Sequence, residues 1–215
     1  MDKIKLTCSN LEKKYFNKII FTNLSLELLN TSSLAITGKN GTGKSTLIKI
    51  LANLIKETKG NFSIAVNDQE LIRENFYRYT GLMAPYLMLY DELTGYENLD
   101  FFSSLFQDNI ENSTERIKFL LEEVNLYHRR NDLVKNYSTG MKQRLKLAFS
   151  VLKDPLILLL DEPRTNLDTE GIDAVYKIAG KQKEKGILII ATNESDDTSL
   201  CEQKINIEDY KSIKN

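Results

Sequence analysis

The stretch SLAITGKNGTGKST, residues 33 to 46, decides the fold class of this 215-residue chain. A short aliphatic strand runs into a glycine-rich turn, and apolar residues at helical spacing follow at Leu47, Ile48 and Leu51. Glycines let a backbone turn tightly with its N–H groups pointing inward, which makes an anion nest at a helix N-terminus. A strand, turn and helix with glycines for geometry alone is the alternative reading. The Gly-Lys-Ser triplet at the junction argues against it and predicts a phosphate-binding loop.

This loop supplies most of the predicted nucleotide ligands. Lys44 is expected to reach the β- and γ-phosphates, and Ser45 is expected to offer its hydroxyl to Mg²⁺. The loop residues predicted to bind ATP are Gly38, Asn40, Gly41, Thr42, Gly43, Lys44, Ser45 and Thr46.

Two adjacent acids end the aliphatic run LILLLDEP, residues 156 to 163. A carboxylate at the end of a central strand can hold Mg²⁺, and a neighbouring one can orient or deprotonate an attacking water. We therefore assign Asp161 to the metal, together with Ser45, and Glu162 to the role of catalytic base. Acids that merely face solvent at a strand end are the alternative, which the phosphate loop in the same chain disfavours.

The spacing of apolar residues changes twice along the chain. Short strands dominate to about residue 66, helical spacing follows from about 95 to 152, and aliphatic strands return at 156–160 and 187–191. In the helical part, Leu99, Phe102 and Phe106 share one spacing, and Asn112 with Glu115 resembles a capping box. Strands that alternate with helices on this scale predict an α/β fold with a largely parallel sheet covered on both faces.

Bulk composition excludes several classes of protein. The 29 basic and 30 acidic residues give a net charge of −1, so no global field favours nucleic acid, and no nucleic-acid partner is expected. The longest aliphatic run is far shorter than a membrane span, and the first ten residues do not resemble a secretory signal. We therefore expect one domain over residues 1–215, located in the cytoplasm.

The segment YSTGMKQRL, residues 137 to 145, resembles the signature motif of ATP-binding cassette (ABC) ATPases, a Leu-Ser-Gly-Gly-Gln consensus. Ser138 and Gly140 are kept, while Tyr137, Thr139 and Met141 replace the other three residues. A Ser hydroxyl and a Gly backbone at a helix N-terminus form a second anion site. The resemblance implies that this site faces the γ-phosphate of ATP held by a second subunit, in a homodimer.

The same resemblance implies further features over essentially the whole chain. The expected fold is a P-loop NTPase (RecA-like) core with an N-terminal antiparallel β subdomain and a helical subdomain inserted at about residues 82–153. Tyr15 matches the aromatic residue that stacks on adenine, with a core tyrosine as the alternative, and Asp168 in RTNLD is placed for contact across the dimer. Implied partners are a second subunit and an integral membrane permease, which would hold the chain at the cytoplasmic face of the membrane.

Two departures from the family pattern stand out. The stretch TGLMAPYLMLYDELT, residues 80 to 94, lacks the usual loop glutamine, and Pro85 or a close neighbour takes its place. The strand in GILIIATNES, residues 186 to 195, ends on Thr192 and Asn193 where the family has Thr-His. We therefore predict Asn193 as a neutral, catalytically weaker substitute for the histidine, which gives slower but detectable ATP turnover.

The predicted function is that of an ABC transporter ATPase, with a short haem-exporter-like subtype as one possibility. A non-transport ABC ATPase and an ATP-dependent switch with weak hydrolysis are the alternatives. Retention of the base Glu162 argues against the switch.

Overall fold

The computed structural model describes residues 2–105 and 112–211. Its strands form two sheets, an antiparallel one of order β2-β1-β4-β5 and a parallel one of order β6-β7-β8-β3-β9. The antiparallel sheet contains β1 (Ile4–Tyr15), β2 (Lys18–Leu29), β4 (Lys59–Val66) and β5 (Gln69–Glu70). The parallel sheet contains β3 (Ser33–Thr37), β6 (Thr80–Met83), β7 (Ile157–Asp161), β8 (Ile187–Ala191) and β9 (Gln203–Asn206). The α/β fold with an antiparallel β subdomain is thus confirmed.

Helices fill the intervals between these strands. The α-helices are α1 (Lys44–Leu51), α2 (Phe76–Tyr79), α3 (Gly95–Leu105), α4 (Ser113–Glu123), α5 (Thr139–Ser150), α6 (Thr169–Lys185) and α7 (Ser195–Ser199). Short 3-10 helices lie at Arg73–Asn75, Tyr127–Arg129, Val134–Asn136 and Ile207–Tyr210.

The helical middle of the chain lies between β6 and β7. Leu82 and Met83 belong to β6, so the helical part begins later than residue 82. Its behaviour as a separate subdomain stays a prediction, and Phe106 lies outside the described residues. The capping box is wrong in its mechanism: α4 does begin after Asn112, but that residue has a left-handed φ of 54° and makes no side-chain cap bond.

Both faces of the parallel sheet are buried, which explains the unbroken aliphatic runs of β7 and β8. Along β7, Ile157 and Leu159 pack into a core shared with the antiparallel sheet and α1. Leu158 and Leu160 point the other way, into a core shared with α3, α4, α5 and α6. The two central strands β7 and β8 are therefore covered on both faces, and the residues at their carboxyl ends start from a packed support.

Candidate nucleotide-binding site

Four neighbouring strands of the parallel sheet deliver the predicted site residues to one edge. The phosphate loop follows β3, the pair Asp161 and Glu162 ends β7, Asn193 follows β8, and Pro85 follows β6. Carboxyl ends of parallel strands meet at the same edge of a sheet, which is where ligands bind in folds of this type. Residues far apart in sequence are thus brought together by strand order.

The phosphate loop takes a backbone conformation that requires glycine at two positions. Gly38 has φ +140° and Gly43 has φ +121°, a region that L side chains rarely adopt. A Cβ atom on Gly43 would lie 2.5 Å from Cγ2 of Ile20, so the loop also packs too tightly there for a side chain. Helix α1 begins at Lys44, directly after this turn, with its free N–H groups facing the loop.

Lys44 is the centre of the site. Its ammonium group donates to the Gly38 carbonyl at 2.8 Å and to Oδ1 of Asn193 at 3.2 Å, and it lies 3.3 Å from Oε1 of Glu162. Only 6% of the Lys44 side chain is exposed, so these three partners compensate the burial of its charge. The lysine therefore joins the phosphate loop, the catalytic-base candidate and the end of β8.

Asp161 and Ser45 fit the requirements of a magnesium site. The Ser45 hydroxyl donates to Oδ1 of Asp161 at 3.1 Å, and Oδ2 of this fully buried carboxylate has no hydrogen-bond partner in the described ranges. Burial raises the pKa of Asp161, with the nearby charge of Glu162 adding to the effect. Mg²⁺ usually takes one or two carboxylate or hydroxyl ligands from protein and the rest from phosphates and water. Consistent with that, no group of three or more His, Cys, Asp or Glu residues in the described ranges could hold a metal by itself.

Glu162 has the strained backbone typical of a functional residue. Its φ is 49°, in the left-handed region, and its N–H donates to the Ala191 carbonyl at 2.8 Å. Such a conformation costs of order 1–3 kcal/mol and persists where surrounding structure enforces it. The bond to the end of β8 aims the side chain towards Lys44.

Asn193 lies at the phosphate loop, as the sequence predicted for the end of β8. Its amide Nδ2 donates to Oδ1 of Asn40 at 2.7 Å, while its oxygen accepts from Lys44. Thr192, by contrast, is buried and donates to Oδ2 of Asp197 at 2.7 Å, so it anchors the loop from behind. The polar pair after β8 is therefore divided between a site residue and an anchor.

A cavity of about 430 Å³ lies against the phosphate loop, Lys44 and Glu162. Sequence reasoning missed Ile20, which lies in no recognisable motif, and Thr165, although it belongs to the RTNLD segment from which only Asp168 was chosen. It placed Pro85 only at the position of the missing glutamine. Tyr15 is 43% exposed and does not belong to the lining found in the described part of the chain, so its stacking role stays a prediction. The lining residues are Ile20, Asn40, Gly41, Gly43, Lys44, Ser45, Thr46, Pro85, Glu162 and Thr165.

The signature segment lies apart from this cavity. Ser138 is exposed at the N-terminus of α5, where its Oγ accepts the N–H of Met141 at 3.1 Å. A Cβ on Gly140 would lie 3.0 Å from the Asn166 carbonyl, so that glycine permits close packing on the loop after β7. Among the residues described, none of 137–141 lines the cavity.

Asp168 also has a role within its own chain. Its Oδ1 accepts the Gly171 N–H at 3.0 Å and so caps α6. Arg144 lies 4.0 Å from its other carboxylate oxygen. Both of these partners lie within the same chain. The predicted contact of Asp168 across a dimer stays a prediction.

The fold and this cluster together define a P-loop nucleotide-binding protein. The family model described as ABC transporter matches residues 21–165, more than half of the chain. The chain therefore belongs to the ABC transporter family and has its ATP-binding domain.

Relatives and solved structures agree with this assignment. The lantibiotic transport ATP-binding protein SrtF of Streptococcus pyogenes is 34% identical over 188 residues, which are 87% of this chain and 79% of SrtF. The uncharacterized ABC transporter ATP-binding protein YdbJ of Bacillus subtilis (strain 168) is 32% identical over 210 residues. That match covers 94% of this chain but 66% of YdbJ, so the chain spans just under two thirds of that relative.

A solved structure shows the same fold. It is a dimeric, post-hydrolysis state of the ATP-binding cassette MJ0796 bound to ADP and Pi. It superposes with a TM-score of 0.82 at 20% identity, over 94% of each chain. The predicted haem-exporter-like subtype stays a prediction.

Proposed function

We propose that this chain binds and hydrolyses ATP as the motor subunit of a transporter, with two copies closing around two ATP molecules. The observation that carries the proposal is the division of the site. Lys44 and Glu162 line one cavity and Asn193 accepts a hydrogen bond from Lys44 beside it, while Ser138 is exposed elsewhere. One copy can therefore grip the triphosphate, and a second copy is needed to present the signature serine.

The residues of the cavity have distinct tasks in this proposal. Lys44 and the N–H groups of the loop bind the β- and γ-phosphates, which replace part of the lysine's present contacts. Mg²⁺, held by Ser45 and Asp161, would supply positive charge for the leaving phosphates. Glu162 orients a water and accepts its proton. Asn193 donates one neutral hydrogen bond to the terminal phosphate.

The exposed N-terminus of α5 suits the role of a second anion site. Oγ of Ser138 accepts a hydrogen bond from the N–H of Met141 at the start of the helix. Its O–H is then free to donate to a phosphate oxygen. Gly140 and the positive end of the helix dipole add to that site. We propose that the partner copy's ATP is the anion, as the family resemblance implies.

Coupling to an integral membrane permease is the second half of the proposal. The family match and the transport role in the name of SrtF support it. Within 2–105 and 112–211, no helix has the length and apolar character to cross a bilayer. We therefore propose attachment to the cytoplasmic face of the membrane through the permease.

The decisive experiment compares the wild type with Glu162→Gln. Loss of a general base costs about 10²- to 10⁴-fold, so turnover should fall at least 100-fold while ATP binding is retained. Unhydrolysed ATP should then hold a dimer, seen by size-exclusion chromatography with light scattering. Glu184→Gln, at an exposed position of α6, is the matched control and should behave like the wild type.

The neutral Asn193 favours one second candidate, an ATP-dependent switch with very weak hydrolysis. In that case the wild type itself would form a stable ATP-bound dimer, and Glu162→Gln would add nothing. If neither protein dimerises with ATP, even with its permease supplied, the motor proposal is wrong.

A further inference from the structure

Tyr86 lies where this chain lacks the family's loop glutamine. The loop after β6 runs beside the nucleotide cavity, since Pro85 is one of its lining residues. The side chain of Tyr86 points back into the protein, where its hydroxyl is buried without a hydrogen-bond partner in the described residues. Buried hydroxyls without a protein partner are uncommon, and they usually bond to an ordered water or a ligand.

A second unpartnered atom follows the neighbouring strand, because Met83 of β6 pairs with Leu160 of β7 and the two segments leave the sheet side by side. Oδ2 of Asp161, whose side chain is fully buried, also lacks a partner among the residues described. The two groups interact electrostatically. Burial raises the pKa of Tyr86, and the negative charge of the Asp161 carboxylate raises it further. A neutral tyrosine hydroxyl can donate a hydrogen bond, and the free carboxylate oxygen of Asp161 can accept one.

The position of Tyr86 is held by other contacts. Nζ of Lys49, on helix α1, lies 4.2 Å from the centre of the Tyr86 ring. Nζ of Lys146 donates to the Pro85 carbonyl at 2.9 Å, and the Leu87 N–H donates to the Ala84 carbonyl at 3.2 Å. The ring and its loop are thus fixed without any use of the hydroxyl.

We propose that Tyr86 is a positioning residue of the magnesium site, whose hydroxyl shares one water molecule with the free oxygen of Asp161. This inference rests on the proposed function, because that water matters only where Asp161 holds Mg²⁺ beside ATP. In this proposal Tyr86 takes the place of the missing loop glutamine, from the adjacent position. A tyrosine that merely packs against Lys49 is the competing explanation.

The variant Tyr86→Phe separates these explanations because it removes the hydroxyl and keeps the ring over Lys49. We would measure Mn²⁺ affinity by electron paramagnetic resonance with ATP present, in the Glu162→Gln background. Loss of one neutral hydrogen bond predicts weaker Mn²⁺ binding by about three- to tenfold. ATP affinity in EDTA and the melting temperature of the nucleotide-free protein should stay unchanged, because the hydroxyl has no protein partner among the described residues and the proposed water matters only beside Mg²⁺.

Tyr90→Phe is the matched control. Tyr90 lies on the same loop, stacks on Phe102 with ring centres 5.8 Å apart, and should show the Mn²⁺ affinity of the parent. Pro85→Gln added to Tyr86→Phe should restore Mn²⁺ binding, since it returns an amide to the family position.

Each outcome bears on a different claim. If the parent does not bind Mn²⁺ with ATP and the wild type lacks turnover, the proposed function fails. If the parent binds Mn²⁺ and Tyr86→Phe binds it equally well, only the role of Tyr86 is overturned. That role is also overturned if Tyr86→Phe lowers the melting temperature of the nucleotide-free protein, because the hydroxyl would then be structural.

Discussion

The phosphate side of this chain, formed by Lys44, Glu162 and Asn193, differs in its packing from the signature side, which carries Ser138. On the phosphate side, Lys44 contacts both Glu162 and Asn193, and each of the three follows a strand that is buried on both faces. On the signature side, Ser138 is exposed, and among the described residues its side chain bonds to its own helix alone. The first arrangement can hold its ligand within one chain, whereas the second presents unused donors to whatever approaches.

Burial accounts for the difference. A buried lysine must be paired, so the contacts of Lys44 hold Glu162 and Asn193 in place before any ligand arrives. A serine at an exposed helix N-terminus can leave its hydroxyl to water at little cost. Preorganisation is therefore expected for phosphate binding, and dependence on a second copy for the signature.

The largest expected effect breaks the comparison at Lys44. Lys44→Ala removes a charged hydrogen bond to phosphate, worth about 1.5–3 kcal/mol, so ATP affinity should fall by about 10- to 100-fold. Ser138→Ala should change the ATP affinity of the monomer by less than about twofold, although it should abolish turnover. Titration with a fluorescent ATP analogue, at protein concentrations too low for dimers, measures both. Equal losses of affinity would show that the two sides do not differ as we argue.

The next effect concerns how the signature segment is supported. Tyr137 replaces the usual leucine, and its hydroxyl lies 2.2 Å from where a Cβ on Gly95 would be. Gly95→Ala should therefore destabilise the protein by about 1–3 kcal/mol through overpacking. Denaturant unfolding would measure this loss of free energy. The double variant Gly95→Ala, Tyr137→Leu should recover most of it, and failure to recover would disprove the coupling.

The long, periodic or aliphatic elements could be predicted from sequence, and the short strands could not. Runs such as β7 and β8 identify themselves because both of their faces are buried. Strand β6 reads TGLM, in which Thr80 and Gly81 give little apolar signal, and β9 at the sheet edge has no buried residue. These two are strands because a neighbouring strand pairs with them, which local sequence does not reveal.

The candidate site shows the same division. Residues in the phosphate loop and at the ends of β7 and β8 were predicted because their chemistry follows a recognisable element. Ile20 lines the cavity only through tertiary packing, and no local signal marks it, whereas Thr165 belongs to the RTNLD segment from which only Asp168 was chosen. Tyr86 could have been noticed as the neighbour of the missing glutamine, but its buried hydroxyl is visible only in three dimensions.

A smaller effect concerns the stability that the ligand-free protein loses by burying the carboxylate of Asp161. Burial raises the folded-state pKa of Asp161 above its unfolded value, so ionisation of this group lowers stability as pH rises through the carboxyl range. Asp161→Asn should therefore stabilise the nucleotide-free protein by about 1 kcal/mol at pH 7, the scale of one unsatisfied buried group. The gain should vanish below about pH 4, where the unfolded carboxyl is also protonated.

Thermal unfolding in EDTA at a series of pH values checks this prediction. Asp209→Asn is the control, since Asp209 is exposed outside the site. If Asp161→Asn destabilises the protein at pH 7, the carboxylate is better solvated than its unpartnered oxygen indicates.

The smallest effect sharpens the comparison at Asn193, the one phosphate-side residue that departs from the family pattern. Its amide donates to Asn40 and accepts from Lys44, so it is held in place but carries no charge. Asn193→Ala removes one neutral bond of about 0.5–1.5 kcal/mol and should slow turnover by about two- to tenfold. Asn193→His should instead raise turnover, and most strongly below about pH 6.5, where imidazole is charged.

Steady-state ATPase assays between about pH 5.5 and 8 distinguish these effects because only the histidine variant should gain a new pH dependence. Unchanged turnover in Asn193→Ala would mean that the amide supports the empty loop and not the reaction. A histidine variant slower than the wild type at every pH would show that the loop around Asn40 and Lys44 has adapted to the amide. In the first case the phosphate side would owe its rate to Lys44 and Glu162, and Asn193 would serve only to hold the empty loop.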